Sequence, residues 1–303
     1  MAQLKDIKSR LHSVRSTQKI TSAMMMVSSA KLQKSQRIIL SLSPYQKKLQ
    51  HMMQLFLSHD EQGKDERRKD ELIGKGIDSP FTVVRTVKRV AIIAFSSNSG
   101  LAGRFNDNII EKLREVVKGY LHLGKENILI YPIGEKVAKA VRGMGFEPQG
   151  DYNEISGKPE YIHSQLMTDK LMEMFLSGTV DRAELIYHHY RSKGSQVVIH
   201  EPFLPLELKA DVSDTEAPAY IIEPDRETIM QELIPKSLKV KFFATHLDSV
   251  TSEHAARMTA MQIATDNADD LSEELTMEYN KLRQESITNE LLDIVGGSFG
   301  RYG

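Results

Sequence analysis

Residues 236–295 read KSLKVKFFATHLDSVTSEHAARMTAMQIATDNADDLSEELTMEYNKLRQESITNELLDIV, a run with neither proline nor glycine. A helix through all of it would reach about 90 Å at roughly 1.5 Å per residue, more than a compact domain needs. Within it Leu247, Val250, His254, Arg257, Met261, Ala264, Ala268, Leu271, Leu275, Glu278 and Leu282 recur at 3-4 spacing, the period of a coiled-coil seam. Ala255, Ala256, Ala260, Ala264 and Ala268 keep its middle thin, so a partner helix can come close. Toward its end Asp266, Asp269, Asp270, Glu273, Glu274, Glu278, Glu285 and Glu290 stand against Lys281 and Arg283. Pro224-Asp225 forms an N-terminal cap region, and Gly296-Gly297 are expected to end the helix.

The partner is expected at the other end of the chain. Leu4, Ile7, Leu11 and Val14 open a 3-4 stripe that continues through Gln18, Thr21, Met25, Ser28, Leu32, Ser35, Ile39 and Leu42. This predicts a helix over 2–58, with a kink or brief interruption at Pro44. Its face carries Lys5, Lys8, Arg10, Arg15, Lys19, Lys31, Lys34 and Arg37 against Asp6 alone. A basic and an acidic long helix at opposite ends of one chain are expected to wrap each other as an antiparallel coiled coil. The alternative is that each packs separately on the intervening domain.

Residues 59–85 read as a linker, with mixed charge and helix-breaking Gly63, Gly74 and Gly76. Between 86 and 223, strands alternate with helices. Strands are expected at Arg89–Ser96, Asn127–Ile133, Ala183–Arg191 and Gln196–Phe203. Helices are expected at Asn106–Tyr120, Glu135–Met144 and Tyr161–Leu176. A short strand is expected at Tyr220–Ile222. This alternation predicts a mostly parallel sheet covered on both faces, the last two long strands forming an antiparallel edge hairpin. The division is therefore 1–58, 59–85, 86–223 and 224–303.

Composition excludes several functions. The chain of 303 residues is 40% hydrophobic and 27% charged, with a formal net charge of -1 and no cysteine. Disulfides, thiol catalysis and cysteine zinc sites are excluded, and a reducing compartment fits. No global field draws it to nucleic acid, and no apolar run approaches the roughly 20 residues that span a bilayer. Residues 1–26 are also basic, Ser-rich and amphipathic as an organelle transit peptide is, but the helical pattern runs on past residue 30.

Candidate chemical motifs each meet a simpler reading. Ser96–Asn106 (SSNSGLAGRFN) follows a strand and precedes a helix, where a phosphate-binding turn sits. Its glycines fit neither the dinucleotide fingerprint nor the P-loop pattern, so a structural turn is expected. Ser96, Ser97 and Ser99 are not in a nucleophile elbow. His188 and His189 face opposite sides of a strand, and His246 and His254 lack a third ligand. The acids of 266–274 are expected to form a solvated helical face rather than a calcium site. The basic N-terminal helix lacks the interleaved aromatics of a nucleic-acid surface.

Lys19–Leu32 (KITSAMMMVSSAKL) resembles the N-terminal signature of the gamma subunits of F-type ATP synthases. Arg257–Ala268 (RMTAMQIATDNA), Tyr279–Leu291 (YNKLRQESITNEL) and Ile294–Gly297 resemble its C-terminal signature, and Gly100–Asn106 resembles the family's glycine turn. The resemblance is dense over both end helices and loose in between. Ser22 and Met25 depart from charged residues usual beside Met24, and Ser97-Asn98-Ser99 stands where an Asp-Arg pair is common.

The resemblance implies a rotor of bacterial type, with a coiled coil and a central Rossmann-like α/β domain. The coiled coil would stand inside three alpha and three beta subunits. The middle domain would meet the epsilon subunit and the proton-driven c-ring. It further implies one copy per complex, no nucleic acid, no cofactor, no metal and no catalytic residue. The implied location is the cytoplasmic face of the bacterial plasma (inner) membrane, peripherally. Residue by residue, Met24, Arg257, Gln284 and Thr288 are expected at beta-subunit contacts. Arg257, on the stripe, is expected to snorkel or turn outward. Ile287, Leu291, Leu292, Ile294 and Val295 form the expected bearing tip. Tyr220 and Glu223 are expected at the c-ring and epsilon contact.

Overall fold

The computed structural model describes residues 2–62, 79–206, 223 and 225–299. Its elements in order are α1 (Ala2–Gln62), β1 (Val90–Phe95), α2 (Phe105–Tyr120), β2 (Ile128–Ile133), α3 (Glu135–Gly143), α4 (Asn153–Ser156), α5 (Tyr161–Leu176), β3 (Arg182–Ser192), β4 (Ser195–Leu204) and α6 (Arg226–Phe299). The chain divides into two compact units, Met1–Ala30 with Arg257–Gly303, and Lys31–Ala256.

The larger unit is built on a four-stranded sheet of order β2-β1-β3-β4. β1 runs parallel to β2 and β3, and β4 closes the edge as an antiparallel hairpin, as the alternation predicts. Successive side chains of a strand point to opposite faces, and β1 is buried on both. Val90, Ile92 and Ala94 meet Ile109 and Leu113 of α2 and Val137 and Val141 of α3. Ala91, Ile93 and Phe95 meet Leu171 and Phe175 of α5 and Phe242 of α6. Two helical layers therefore sandwich one apolar sheet. The second layer also takes in Leu49 and Met53 of α1 and Met230, Leu233, Ile234 and Leu238 of α6, so parts of both long helices belong to this core.

Both long helices contain a proline. α1 runs through Pro44 as one helix, without an interruption there, and α6 begins at Arg226, beside the expected Pro224-Asp225 cap region, and runs through Pro235. A mid-helix proline costs about 3 kcal/mol. Burial of flanking turns offsets it: Leu42, Leu49 and Met53 around the first proline, Met230, Leu233, Ile234 and Leu238 around the second. Asp225 caps α6, accepting the Thr228 N–H at 2.8 Å and the Thr228 hydroxyl at 2.7 Å. α6 passes Gly296 and Gly297 and reaches Phe299, because glycine permits a C-cap without imposing one. The short strand expected at Tyr220–Ile222 lies outside the described residues.

In the smaller unit the two helices pair antiparallel. Arg15 Nε donates to Ser272 Oγ at 3.4 Å, Gln18 Nε2 donates to Asp269 Oδ1 at 2.8 Å, and the Thr21 and Thr265 hydroxyls are 2.8 Å apart. Positions rise on one helix as they fall on the other. Each of these contacts carries at most one formal charge.

Candidate functional site

Along α1 the expected seam is the buried one. Every position from Leu4 to Leu42 in the 3-4 series is buried or half-buried, with Ile7, Thr21, Ser28, Leu32 and Ser35 most enclosed. Along α6 the seam is shifted. Met261, Ala268 and Leu275 are buried and Leu282 is half-buried, as expected. Their alternating partners are Thr265, Ser272, Tyr279 and Ser286; of the positions expected there Ala264 is half-buried, but Leu271 and Glu278 lie outside the seam. Leu271 is 40% exposed and Glu278 is exposed. The cause is polar. Thr265 donates to the Met261 carbonyl at 2.9 Å while facing Thr21, and Ser272 receives Arg15. Hydroxyls that meet a cross-helix partner are buried at lower cost than unpaired ones, so small polar residues took positions that hydrophobicity alone assigns to leucine.

The expected contact residues fall on two kinds of surface. Met24 is half-buried on α1. Arg257 is 8% exposed, so it does not turn outward. Gln284 and Thr288 are exposed and lie one turn apart, the Thr288 hydroxyl donating to the Gln284 carbonyl at 2.9 Å. Ile287, Leu291 and Leu292 are all exposed. Geometry explains this. The register that sets Arg15 beside Ser272 and Thr21 beside Thr265 brings the start of α1 opposite the neighbourhood of Glu285. Beyond that point α6 has outrun its partner. Ile294 and Val295 lie in α6, their side chains outside the described set. Glu223 is exposed, and Tyr220 lies outside the described residues.

Sequence reasoning missed a set of exposed apolar side chains. Ile20, Met26, Val27, Ile263 and Met277 are all more than half exposed on the paired helices. The signal was available: they are apolar residues off the seam within otherwise polar helices.

The Ser96–Asn106 turn engages its polar groups internally. Asn106 Oδ1 accepts the Ser97 N–H at 3.1 Å, and Ser97 Oγ donates to the Ser99 carbonyl at 2.6 Å. Asn98 accepts the Glu135 N–H at 3.0 Å and donates to the Asn153 carbonyl at 2.7 Å. Gly134 has φ 110, and a Cβ there would lie 2.3 Å from the Ser96 carbonyl oxygen, so only glycine lets the β2–α3 turn reach β1. The turn thus ties β1, α3 and α4 together.

Several titratable groups are buried in the larger unit. His188 stacks on Phe105 with centroids 4.3 Å apart, while His189 on the opposite face meets Asp248. Desolvation lowers the His188 and His246 imidazoles to about 4. Burial pushes the Glu184 carboxyl up, but hydrogen bonds from His200 and Tyr120 and the nearby His200 and Arg182 charges hold it below the usual carboxylate range. Burial raises Asp248, opposed by hydrogen bonds from the Tyr190 N–H and His189. Among the described residues no group of three or more His, Asp or Glu gathers as a metal cluster, and no helix is long and apolar enough to cross a membrane.

The chain's likeness to known proteins spans nearly its whole length. The family model described as ATP synthase matches residues 3–299. An ATP synthase gamma chain of Bacteroides fragilis is 50% identical over 302 residues, covering 98% of this chain and 99% of that protein. One from Phocaeicola vulgatus is 48% identical, and one from Flavobacterium johnsoniae 42%, each over 98% of this chain and 98–99% of its own length. Among solved structures, a chain of the Euglena gracilis mitochondrial ATP synthase OSCP/F1/c-ring assembly shares the fold. Its TM-score is 0.61 at 18% identity, with 99% of this chain and 94% of that chain covered. A chain of the Tetrahymena thermophila central stalk/c-ring structure gives a TM-score of 0.53 at 20% identity, over 81% of this chain and 99% of its own.

Proposed function

The chain belongs to the ATP synthase gamma-chain family, and we propose that it works as the central-stalk rotor of an F-type ATP synthase. Full-length identity of 50% to a bacterial gamma chain carries this reading. In it the chain transmits torque between a proton-driven c-ring and a catalytic head of three alpha and three beta subunits, with epsilon alongside and one copy per complex. It makes and breaks no bond itself. Its place is the cytoplasmic face of the bacterial inner membrane, held there by its partners.

The exposed surfaces support this role. A shaft turning inside a sleeve needs apolar contact without deep anchors, and Ile287, Leu291 and Leu292 present that, with Ile294 and Val295 continuing the same helix. Gln284 and Thr288 offer directional polar contacts one turn apart and are assigned to beta-subunit loops. Met24 and Arg257 are assigned to the same interface. Arg257 is buried in the free chain, so its contact requires the side chain to change rotamer on assembly. Glu223, with Tyr220, is assigned to the c-ring and epsilon face.

Co-purification tests the assembly. A tagged chain should bring down two larger nucleotide-binding subunits at three copies each, and recovery of the chain alone would remove the reading. Truncation from Ile287 tests the tip: ATP-driven proton pumping in membrane vesicles should fall, and unchanged pumping would count against a bearing.

A further inference from the structure

β3 outruns its neighbour. β1 pairs with Arg182–Ile186, whereas β3 continues to Ser192. From Tyr187 onward β4 covers one edge of β3, and the other edge needs partners for its backbone groups. α6 supplies them. Ser252 Oγ donates to the His188 carbonyl at 3.1 Å, and Asp248 Oδ1 accepts the Tyr190 N–H at 2.8 Å. His188 and Tyr190 are two apart on a strand and present their backbone groups to the same edge. Asp248 and Ser252 are four apart on a helix and share a face. One face of α6 thus substitutes for a missing strand. The second carboxylate oxygen of Asp248 lies 2.6 Å from His189 Nδ1, so one side chain grips both main chain and side chain of β3.

α1 reaches the same point. Gln36 Nε2 donates to the Tyr190 hydroxyl at 2.8 Å. Tyr190 is therefore held twice, its main chain by α6 and its hydroxyl by α1, at the end of the sheet's edge hairpin. All these residues lie within the Lys31–Ala256 unit. Apolar packing tolerates small slips between helix and sheet. Hydrogen bonds weaken steeply with angle and so resist them.

We propose that Gln36, Tyr190 and Asp248, with Ser252 in support, form a torsional tie that stops the two long helices from slipping against the sheet under load. The tie rests on the rotor reading above and makes these positioning residues, since none touches a reacting group. It assigns the β3–β4 hairpin end a task in energy coupling.

The test is the ratio of ATP-driven proton pumping to ATP hydrolysis in the complete complex, reconstituted in vesicles. Asp248→Ala is expected to leave hydrolysis running while losing most of the pumping. Asp248→Asn, which keeps an acceptor for the Tyr190 N–H, is expected to retain it. A merely structural role lowers the melting temperature and the yield of complex while the ratio stays at the wild-type level, and that result overturns the tie. Should Asp248→Ala not assemble, Gln36→Leu and Tyr190→Phe carry the test. Each should lower the ratio, and a wild-type ratio in both overturns the proposal. If the unaltered chain fails to enter the complex, the rotor reading itself is wrong and the tie falls with it; that control is read before any variant is compared.

Discussion

The α/β body encloses its apolar side chains, whereas the helix pair buries some in its seam and leaves others exposed. In the body, β1 and its neighbours Ile109, Leu113, Ile130 and Leu185 are wholly enclosed. In the pair, the centre of the seam is Thr21 against Thr265, flanked by Gln18 with Asp269, while Ile20, Met26, Val27, Ile263 and Met277 face outward. The body keeps its hydrophobic surface for itself and is stabilised by burial. The pair holds together through a narrow, partly polar seam and leaves apolar surface for something else to cover. The rotor role proposed above would use both: a body that does not deform, and a shaft whose outer surface meets a sleeve.

The strongest way to break this comparison is to cut into each core. Ile93→Ala, at the centre of β1, is expected to cost about 2–5 kcal/mol by urea denaturation of the isolated chain. Leu275→Ala in the seam should cost clearly less. Equal losses would mean that the helix pair is as self-sufficient as the body.

Acid separates the regions next. His246 is fully enclosed in the body, and desolvation brings its imidazole from 6.5 to about 4. Below pH 6.5 the unfolded chain takes up a proton that the folded chain refuses. Stability should therefore fall as pH drops from about 6.5 to about 4 and level off below, by about 3 kcal/mol for this residue. His188 acts in the same direction. Glu184, held below its ordinary 4.5, adds a separate loss as pH falls through its folded value. Unfolding midpoints across this range check the slope. His246→Gln should remove its share, and an unchanged slope would place the titration elsewhere.

A smaller effect sharpens the account of the seam. Thr21→Val removes the cross-helix partner of the Thr265 hydroxyl, which keeps its bond to the Met261 carbonyl, and should cost up to about 1 kcal/mol. The Thr21→Val, Thr265→Val double variant should recover most of that, because no buried hydroxyl is left without its cross-helix partner. Helical content at increasing temperature measures both, and a double variant worse than the single would show that the hydroxyl pair is not what sets the register.

The smallest expected effect tests that register. Leu271→Ser should change stability by no more than about 0.5 kcal/mol, as exposed positions do, although the 3-4 series places Leu271 in the seam. A large loss would restore the unshifted seam.

Legibility followed the size of the signal. β1, β2, α2 and α5 were readable because long apolar runs and clear periods leave one solution, and their ends agree within a residue or so. The antiparallel pair was readable from period and charge together. The α6 seam was misread by one position at Leu271 and Glu278, because hydrophobicity ranks Leu above Ser while a cross-helix hydrogen bond reverses that order locally. Pro44 was read as a kink or brief interruption, because a local rule cannot see the buried turns on either side. Exposure of Gln284, Thr288 and the tip followed from where α1 starts relative to α6, a register that spacing on one helix does not contain.

By itself the sequence determined the architecture, the antiparallel pairing and the family, because period, charge and long motifs are properties of contiguous residues. Only the tertiary structure decided which face of α6 is buried, that Arg257 is enclosed, and that Tyr190 is held by both long helices. Those outcomes depend on partners more than a hundred residues away, such as Gln36 to Tyr190 and Thr21 to Thr265, and on whether each polar group finds its hydrogen bond when water is removed.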